Sequence, residues 1–265
     1  MGTEGAKHWP RRIICLTEET TETLYLLGEQ DRIVGVSGYT ARPPEARRKP
    51  KVSAFISAKF DKILQLQPDL VFAFSDLQAD ITSELVRRGM TVMHFNQRSI
   101  AEIFDMIEAV ARLVGVEEKG RKLAAELHQG LHDIQEAAQK FTRRPKVFFE
   151  EWHDPLISGI RWVDELVEIA GGEPVFPELR QHQGAKDRIL DPAQVIVANP
   201  DVIIASWCGR KVNPQWIRSR PGWDAITAVK RGHIFEVKST HILQPGPASL
   251  TDGVGQLHQI LAGVQ

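Results

Sequence analysis

The feature that most constrains this chain is an internal repeat. Residues 63–73 read Ile-Leu-Gln-Leu-Gln-Pro-Asp-Leu-Val-Phe-Ala, and residues 195–205 read Val-Ile-Val-Ala-Asn-Pro-Asp-Val-Ile-Ile-Ala, with Pro68-Asp69 in step with Pro200-Asp201. Each copy predicts a helix end, a turn and a buried strand. Proline lacks the N–H a helix needs and clashes with the preceding turn. An unbroken apolar run marks a strand covered on both faces of a parallel sheet. The correspondence extends in both directions. Gly89 precedes Thr91-Val92-Met93-His94-Phe95, and Gly232 precedes Ile234-Phe235-Glu236-Val237; the strand 12–16 opens the first copy and the strand 146–150 opens the second. Each opening strand leads into a helical pattern, Glu18 to Leu27 before Gly28 and Trp162 to Ala170 before Gly171-Gly172, the glycines standing where a helix C-terminus favours them. Strands alternating with helices imply βαβ units and parallel sheets.

Between the copies lies a helical stretch. Apolar residues at 100, 103, 104, 107, 110, 111 and 114 follow the helical period, and the run from Glu117 to about Phe141 has no proline. A helix of about 24 residues is about 36 Å long. The expected architecture is therefore α/β: two parallel-sheet, Rossmann-like lobes bridged by one long α-helix, with a ligand cleft between the lobes. The expected segments are an N-terminal α/β lobe over 1–97, a helical segment with the bridging helix over 98–143, and a C-terminal α/β lobe over 144–265.

The formal net charge of −1, from 33 Lys plus Arg against 34 Asp plus Glu, argues against a dedicated nucleic-acid binder, which is usually basic. The local run Arg42, Arg47, Arg48, Lys49, Lys51 reads either as a basic patch or as a solvated loop. No apolar stretch nears the ~20 residues of a membrane span. Met1 to Arg12 is not followed by the apolar core of a signal peptide. Two cysteines, Cys15 and Cys208, make no disulfide framework or zinc spacing and are expected to be buried free thiols. A monomer is expected, since no heptad or apolar seam is visible.

In open parallel sheets, ligands bind beyond the carboxyl ends of the strands. Those ends place Glu18, Glu19, Tyr39, Phe74 and Phe95 on the first lobe's rim. On the second they place Glu151, Trp152, His153, Trp207 and His241. Such aromatics suit a bulky, partly apolar ligand, or they fill the core. His94, His153 and His241 read as wall residues, satisfied histidines or a single ligand to a metal centre. His128 and His132, four apart on the long helix, read as a solvated face. The pairs Glu18-Glu19 and Glu150-Glu151 serve acid–base work, a cationic ligand or helix capping equally well. No nucleophile elbow, phosphate loop, metalloprotease or dinucleotide motif is present.

The ordered set Gly35-Val36-Ser37-Gly38-Tyr39 with Pro43-Pro44, residues 63–71, Ser158-Gly159, Gly171-Gly172-Glu173, residues 199–203, Arg220-Pro221-Gly222-Trp223, residues 228–232 and Pro245-Gly246-Pro247 resembles the ABC-transporter substrate-binding proteins for cobalamin and ferric siderophores. The resemblance runs from about Arg12 to Leu261 and is closer to the cobalamin-binding members. It implies the helical-backbone, class III periplasmic binding protein fold and a ligand held with no chemistry done on it. It places Tyr39, Phe55, Phe74 and Trp207 against a corrinoid, faced by Glu151-Trp152-His153, with His153 a candidate axial ligand. No intrinsic metal or cofactor is implied. Docking on an ABC permease falls to Asp80 in the first lobe. In the second, the family position is Ala193, with Asp191 two residues away. Family members work outside the cytoplasm, whereas no leader is read here, so both periplasmic uptake and intracellular handling stay open. The alternatives are a ferric-siderophore or haem-like chelate binder, for which Arg161, Arg188 and Arg210 are the candidate cations, and a corrinoid-modifying enzyme working through His153, Glu151 or Glu19.

Overall fold

The structure, a computed structural model, describes residues 10–265; the first nine residues of the Met1–Arg12 segment lie outside the described residues. The chain forms two compact units, one from the chain up to Gln97 with Ala101–Ala125, the other from Arg98–Ile100 with Glu126–Gln265.

The first unit runs β1 (Ile13–Cys15), α1 (Glu18–Leu26), β2 (Ile33–Ser37), β3 (Lys51–Ala54), β4 (Ser57–Ala58), α2 (Phe60–Gln65), β5 (Leu70–Phe74), α3 (Ala79–Arg87) and β6 (Val92–Phe95), followed by α4 (Ile100–Leu113). Its sheet has the order β4-β3-β2-β1-β5-β6, parallel except for the β3–β4 hairpin. Ile14, Leu16, Val52, Val71 and Ala73 pack on Ile63 of α2 and on Ile81 and Leu85 of α3. Strand alternation puts Phe72, Phe74 and Phe95 on the opposite face.

Helix α5 (Glu117–Ala138) begins in the first unit and continues into the second. It stops three residues short of the expected Phe141, because that ring turns away to stack on His258 (5.2 Å) and to sit over Gly171, where a Cβ would meet it at 2.6 Å. The second unit then runs β7 (Lys146–His153), β8 (Leu156–Ser158), α6 (Arg161–Ile169), β9 (Glu173–Pro174), α7 (Pro192–Ala198), β10 (Val202–Ala205), α8 (Pro214–Arg218), α9 (Thr227–Arg231), β11 (Ile234–Glu236), α10 (Ser239–Ile242) and α11 (Val254–Ala262). Its sheet runs β11-β10-β7-β8, with β9 on the start of β7. Only β8 is antiparallel.

The repeat has a structural reason. The Asp69 carboxylate accepts the backbone N–H groups of Arg11 (2.7 Å) and Arg12 (3.0 Å), while its own N–H donates to the Arg12 carbonyl (2.9 Å). Asp201 accepts the N–H of Lys146 (2.9 Å) and donates to the Lys146 carbonyl (2.8 Å). In each unit the Pro-Asp turn therefore clamps the start of the opening strand. The preceding residues, Gln67 (φ 46°) and Asn199 (φ 45°), both take the left-handed conformation that turns the chain out of the helix.

The expectation of two buried thiols holds at one position and changes at the other. Cys15 is buried in β1, and burial pushes its thiol up to about 12, but Cys208 is exposed. β10 ends at Ala205, and Cys208-Gly209 form a turn closed by the Trp207–Arg210 bridge, with Gly209 at φ 69°. The basic run spends much of its charge on its own surroundings. Arg42 pairs with Glu22, while Arg47, Lys49 and Lys51 donate to the carbonyls of Ala41, Gln30 and Ala46. No helix among the described residues is long and apolar enough to cross a membrane.

Candidate functional site

At the rim of the first unit, β1 feeds directly into α1, whose residues 18–24 are all buried although six of the seven are polar. The Thr17 hydroxyl donates to the Glu19 carboxylate, and Thr21 and Thr23 return their hydroxyls to the carbonyls of Thr17 (3.1 Å) and Glu19 (2.7 Å). Burial pushes the Glu18 carboxyl up to about 7, against the pull of its own N–H and of Lys51. The two acids thus form part of the packed first turn, where the helix dipole favours them. Phe74 and Phe95 are register partners on β5 and β6 and are buried, Phe95 stacking on Phe72 at 5.8 Å. Phe55, half-buried in the β3–β4 turn, is tied to Phe74 by the fully buried Gln78, whose amide donates to the Phe55 carbonyl (2.9 Å) and accepts the Phe74 N–H (3.1 Å). Tyr39 is 58% exposed. His94 is a satisfied histidine: Nε2 donates to the Ser75 carbonyl (2.9 Å) and Nδ1 takes the Thr82 hydroxyl (2.7 Å).

The second rim is denser. The last four residues of β7 each have a partner from later in the chain or from the following turn. Glu150, wholly buried, takes the Arg220 guanidinium in a two-point pair (2.6 and 3.0 Å) and the Trp207 indole N–H (3.1 Å). Glu151 takes the buried Arg188 guanidinium (2.7 and 3.2 Å). The Trp152 indole donates to the Asp154 carbonyl (2.9 Å). The His153 imidazole stacks on Trp152 (5.1 Å) and meets the rings of Trp207 (4.6 Å) and Trp216 (5.4 Å) near perpendicular, with Arg210 on its Nε2 (2.8 Å).

The structure therefore brings Glu151, Trp152, His153 and Trp207 together. Trp207, 1% exposed and part of the core, stands behind the cluster as its backing, while Trp216 on α8, which the sequence reading missed, carries the open aromatic face at 49% exposure. Its only signal was Asn213-Pro214, a cap before a short helix. His241 lies apart on α10, its Nδ1 accepting from the Gln256 amide (2.6 Å). His128 and His132 are exposed on α5. No group of three or more His, Cys, Asp or Glu side chains that could hold a metal occurs among the described residues. Asp80 is exposed in the first turn of α3. Asp191, also exposed, is the N-cap of α7, in a reciprocal capping box with Gln194.

With the buried Glu150 and the partly buried Glu151 each paired with an arginine, the second rim offers one imidazole, an exposed indole face and an exposed guanidinium. That chemistry suits a flat, partly apolar ligand, through stacking and one directed polar contact.

Comparison with known proteins matches residues 13–240 to the periplasmic binding protein family. An uncharacterised ABC transporter substrate-binding lipoprotein of Bacillus subtilis is 28% identical over 260 residues, covering 95% of this chain and 80% of that protein. The vitamin B12-binding protein of Vibrio cholerae is 28% identical over 258 residues, covering 95% of this chain and 90% of its own length. The crystal structure of the periplasmic vitamin B12-binding protein of Vibrio cholerae superposes with a TM-score of 0.77 at 26% identity, covering 97% of this chain and 98% of that one.

Proposed function

Because the chain belongs to the periplasmic binding protein family, we propose that it binds cobalamin or a related corrinoid and passes it unchanged to an ABC permease. It is a solute-binding protein rather than an enzyme, as its relatives are. The observation that carries the choice of ligand is the second rim, where Trp152, Trp207 and Trp216 surround His153. Stacking planes around one nitrogen donor suit a broad, flat macrocycle with a metal at its centre. The Vibrio cholerae relatives named for vitamin B12 support the same reading. On the first rim, Tyr39 and Phe55 are the accessible candidates, and Glu18, Glu19, Phe74 and Phe95 stand behind them. Trp207 backs the second rim, Glu151 fixes its shape, and His241 is a more distant candidate. Asp80 and Asp191 are the proposed permease contacts.

An anionic ferric chelate fits less well. Of the three arginines it would use, Arg188 is paired with the Glu151 carboxylate and Arg161 with that of Glu165 (2.8 Å), which leaves Arg210 as the one of the three that meets an imidazole instead of a carboxylate.

The test is a titration of the purified protein with aquocobalamin, followed by corrinoid absorbance and tryptophan fluorescence. Saturable binding at about micromolar or tighter, with indole quenching lost in Trp216→Ala, is expected. No saturable binding removes the corrinoid and leaves ferric chelates as the next ligands to try.

A further inference from the structure

Arg210 and His153 form a contact whose polarity follows from the donor. A guanidinium only donates, so the 2.8 Å contact from Arg210 Nη1 requires an acceptor lone pair on His153 Nε2. The imidazole is then neutral, with its proton on Nδ1, the form in which Nε2 can coordinate a metal. The ring is held in place on three sides by Trp152, Trp207 and Trp216. Arg210 itself is exposed, follows Gly209 in a left-handed turn and lies 5.9 Å from the Trp216 ring. The imidazole is therefore fixed, and the group covering its lone pair is free to swing.

We propose that Arg210 is the specificity-determining residue of this rim: by capping His153 Nε2 it decides whether a metal-centred macrocycle is held by coordination or by stacking alone. The proposal rests on the corrinoid reading above. In the capped state any flat ligand stacks on the indoles and gains nothing from its metal. When Arg210 swings away, the Nε2 lone pair fills the axial position of cobalt, the bound water leaves as water, and the guanidinium returns to solvent. No proton or electron is transferred. A corrinoid with an exchangeable axial water can use this second state; one whose axial position is held by cyanide cannot. Arg210 thus lowers the preference for the aquo form, because its hydrogen bond must be broken first. It also favours the Nδ1–H tautomer that coordination needs, a smaller effect of opposite sign, because an uncapped imidazole exchanges its proton between its two nitrogens through solvent whereas the charge-assisted hydrogen bond must be broken outright.

Two measurements test this together. The first is the ratio of affinities for aquocobalamin and cyanocobalamin in the wild type, Arg210→Ala and Arg210→Lys. The second is the tautomer of His153 in the ligand-free proteins, read from long-range 1H–15N correlations and assigned by the loss of the signal in His153→Gln. We expect Arg210→Ala to raise the aquo-to-cyano ratio by about tenfold, the scale of one charge-assisted hydrogen bond, and to shift His153 toward the Nε2–H form. Arg210→Lys, which keeps a donor, holds the wild-type tautomer. An unchanged ratio in Arg210→Ala, or an equal loss for both corrinoids, overturns the proposal and makes Arg210 a general ligand contact. An unchanged tautomer overturns the capping itself. If neither corrinoid binds the wild type, the reading on which the proposal rests fails, and the tautomer comparison still decides by itself whether Arg210 caps His153.

Discussion

Glu150 shows how little of a residue's role its own type reveals. In the sequence it is half of a Glu-Glu pair that suits catalysis, cation binding or capping equally. In the fold it is wholly buried, held at two points by Arg220, which also lies 4.4 Å from the Trp223 ring. Removing one partner of a buried pair leaves an uncompensated charge, which costs about 3–5 kcal/mol. Arg220→Ala is therefore expected to lower the stability by about that much in urea unfolding, and Arg220→Ala with Glu150→Gln to recover part of it. Asp164, in the first turn of α6, is a buried acid without so close a partner. The Arg180 Nε lies 3.8 Å away, too far for a hydrogen bond, and burial pushes the carboxyl up to about 7 although Arg180 pulls it down. Between about pH 4 and 7 the folded protein keeps a proton that the unfolded chain has released, so stability falls as pH rises through this window and levels off above it. Glu18, also raised to about 7, adds a slope of the same sign. Asp164→Asn is expected to reduce the fall in urea midpoint between about pH 5 and about pH 7.5 without abolishing it; an unchanged slope would remove Asp164 from the explanation.

Elements were more legible than residues. The helix ends before Gly28 and Gly171 appear where the sequence places them, each glycine at positive φ, because a left-handed exit favours the residue without a Cβ. The end of α5 was not legible, since Phe141 leaves the helix for contacts with Gly171 and His258 that lie far along the chain. The two proposed docking carboxylates also separate at this scale. Asp191 caps α7 and Asp80 caps nothing. Asp191→Ala is expected to cost about 1 kcal/mol of stability and Asp80→Ala less than about 0.5, measured by chemical denaturation. If both also reduce uptake through the partner permease, a loss in Asp80→Ala at unchanged stability is the one that reports docking.

For the whole molecule, the alternation of strands and helices, the parallel sheets and the two-lobe plan follow from the sequence alone, whereas the β3–β4 hairpin and the short strands β8 and β9 do not. Apolar period, proline, glycine and the Pro-Asp repeat act within a few residues, so they are visible in any short window of the chain. The resemblance to a binding-protein family likewise rests on motifs that are local and ordered. What the tertiary structure decided is which residues meet at the rims. Arg210 reaches His153 across 57 residues, Arg220 reaches Glu150 across 70 and Arg188 reaches Glu151 across 37. It also put Trp216 at the surface and Trp207 behind it. Such pairings depend on which strands lie side by side and on the rotamers their neighbours permit, and no local pattern carries that information.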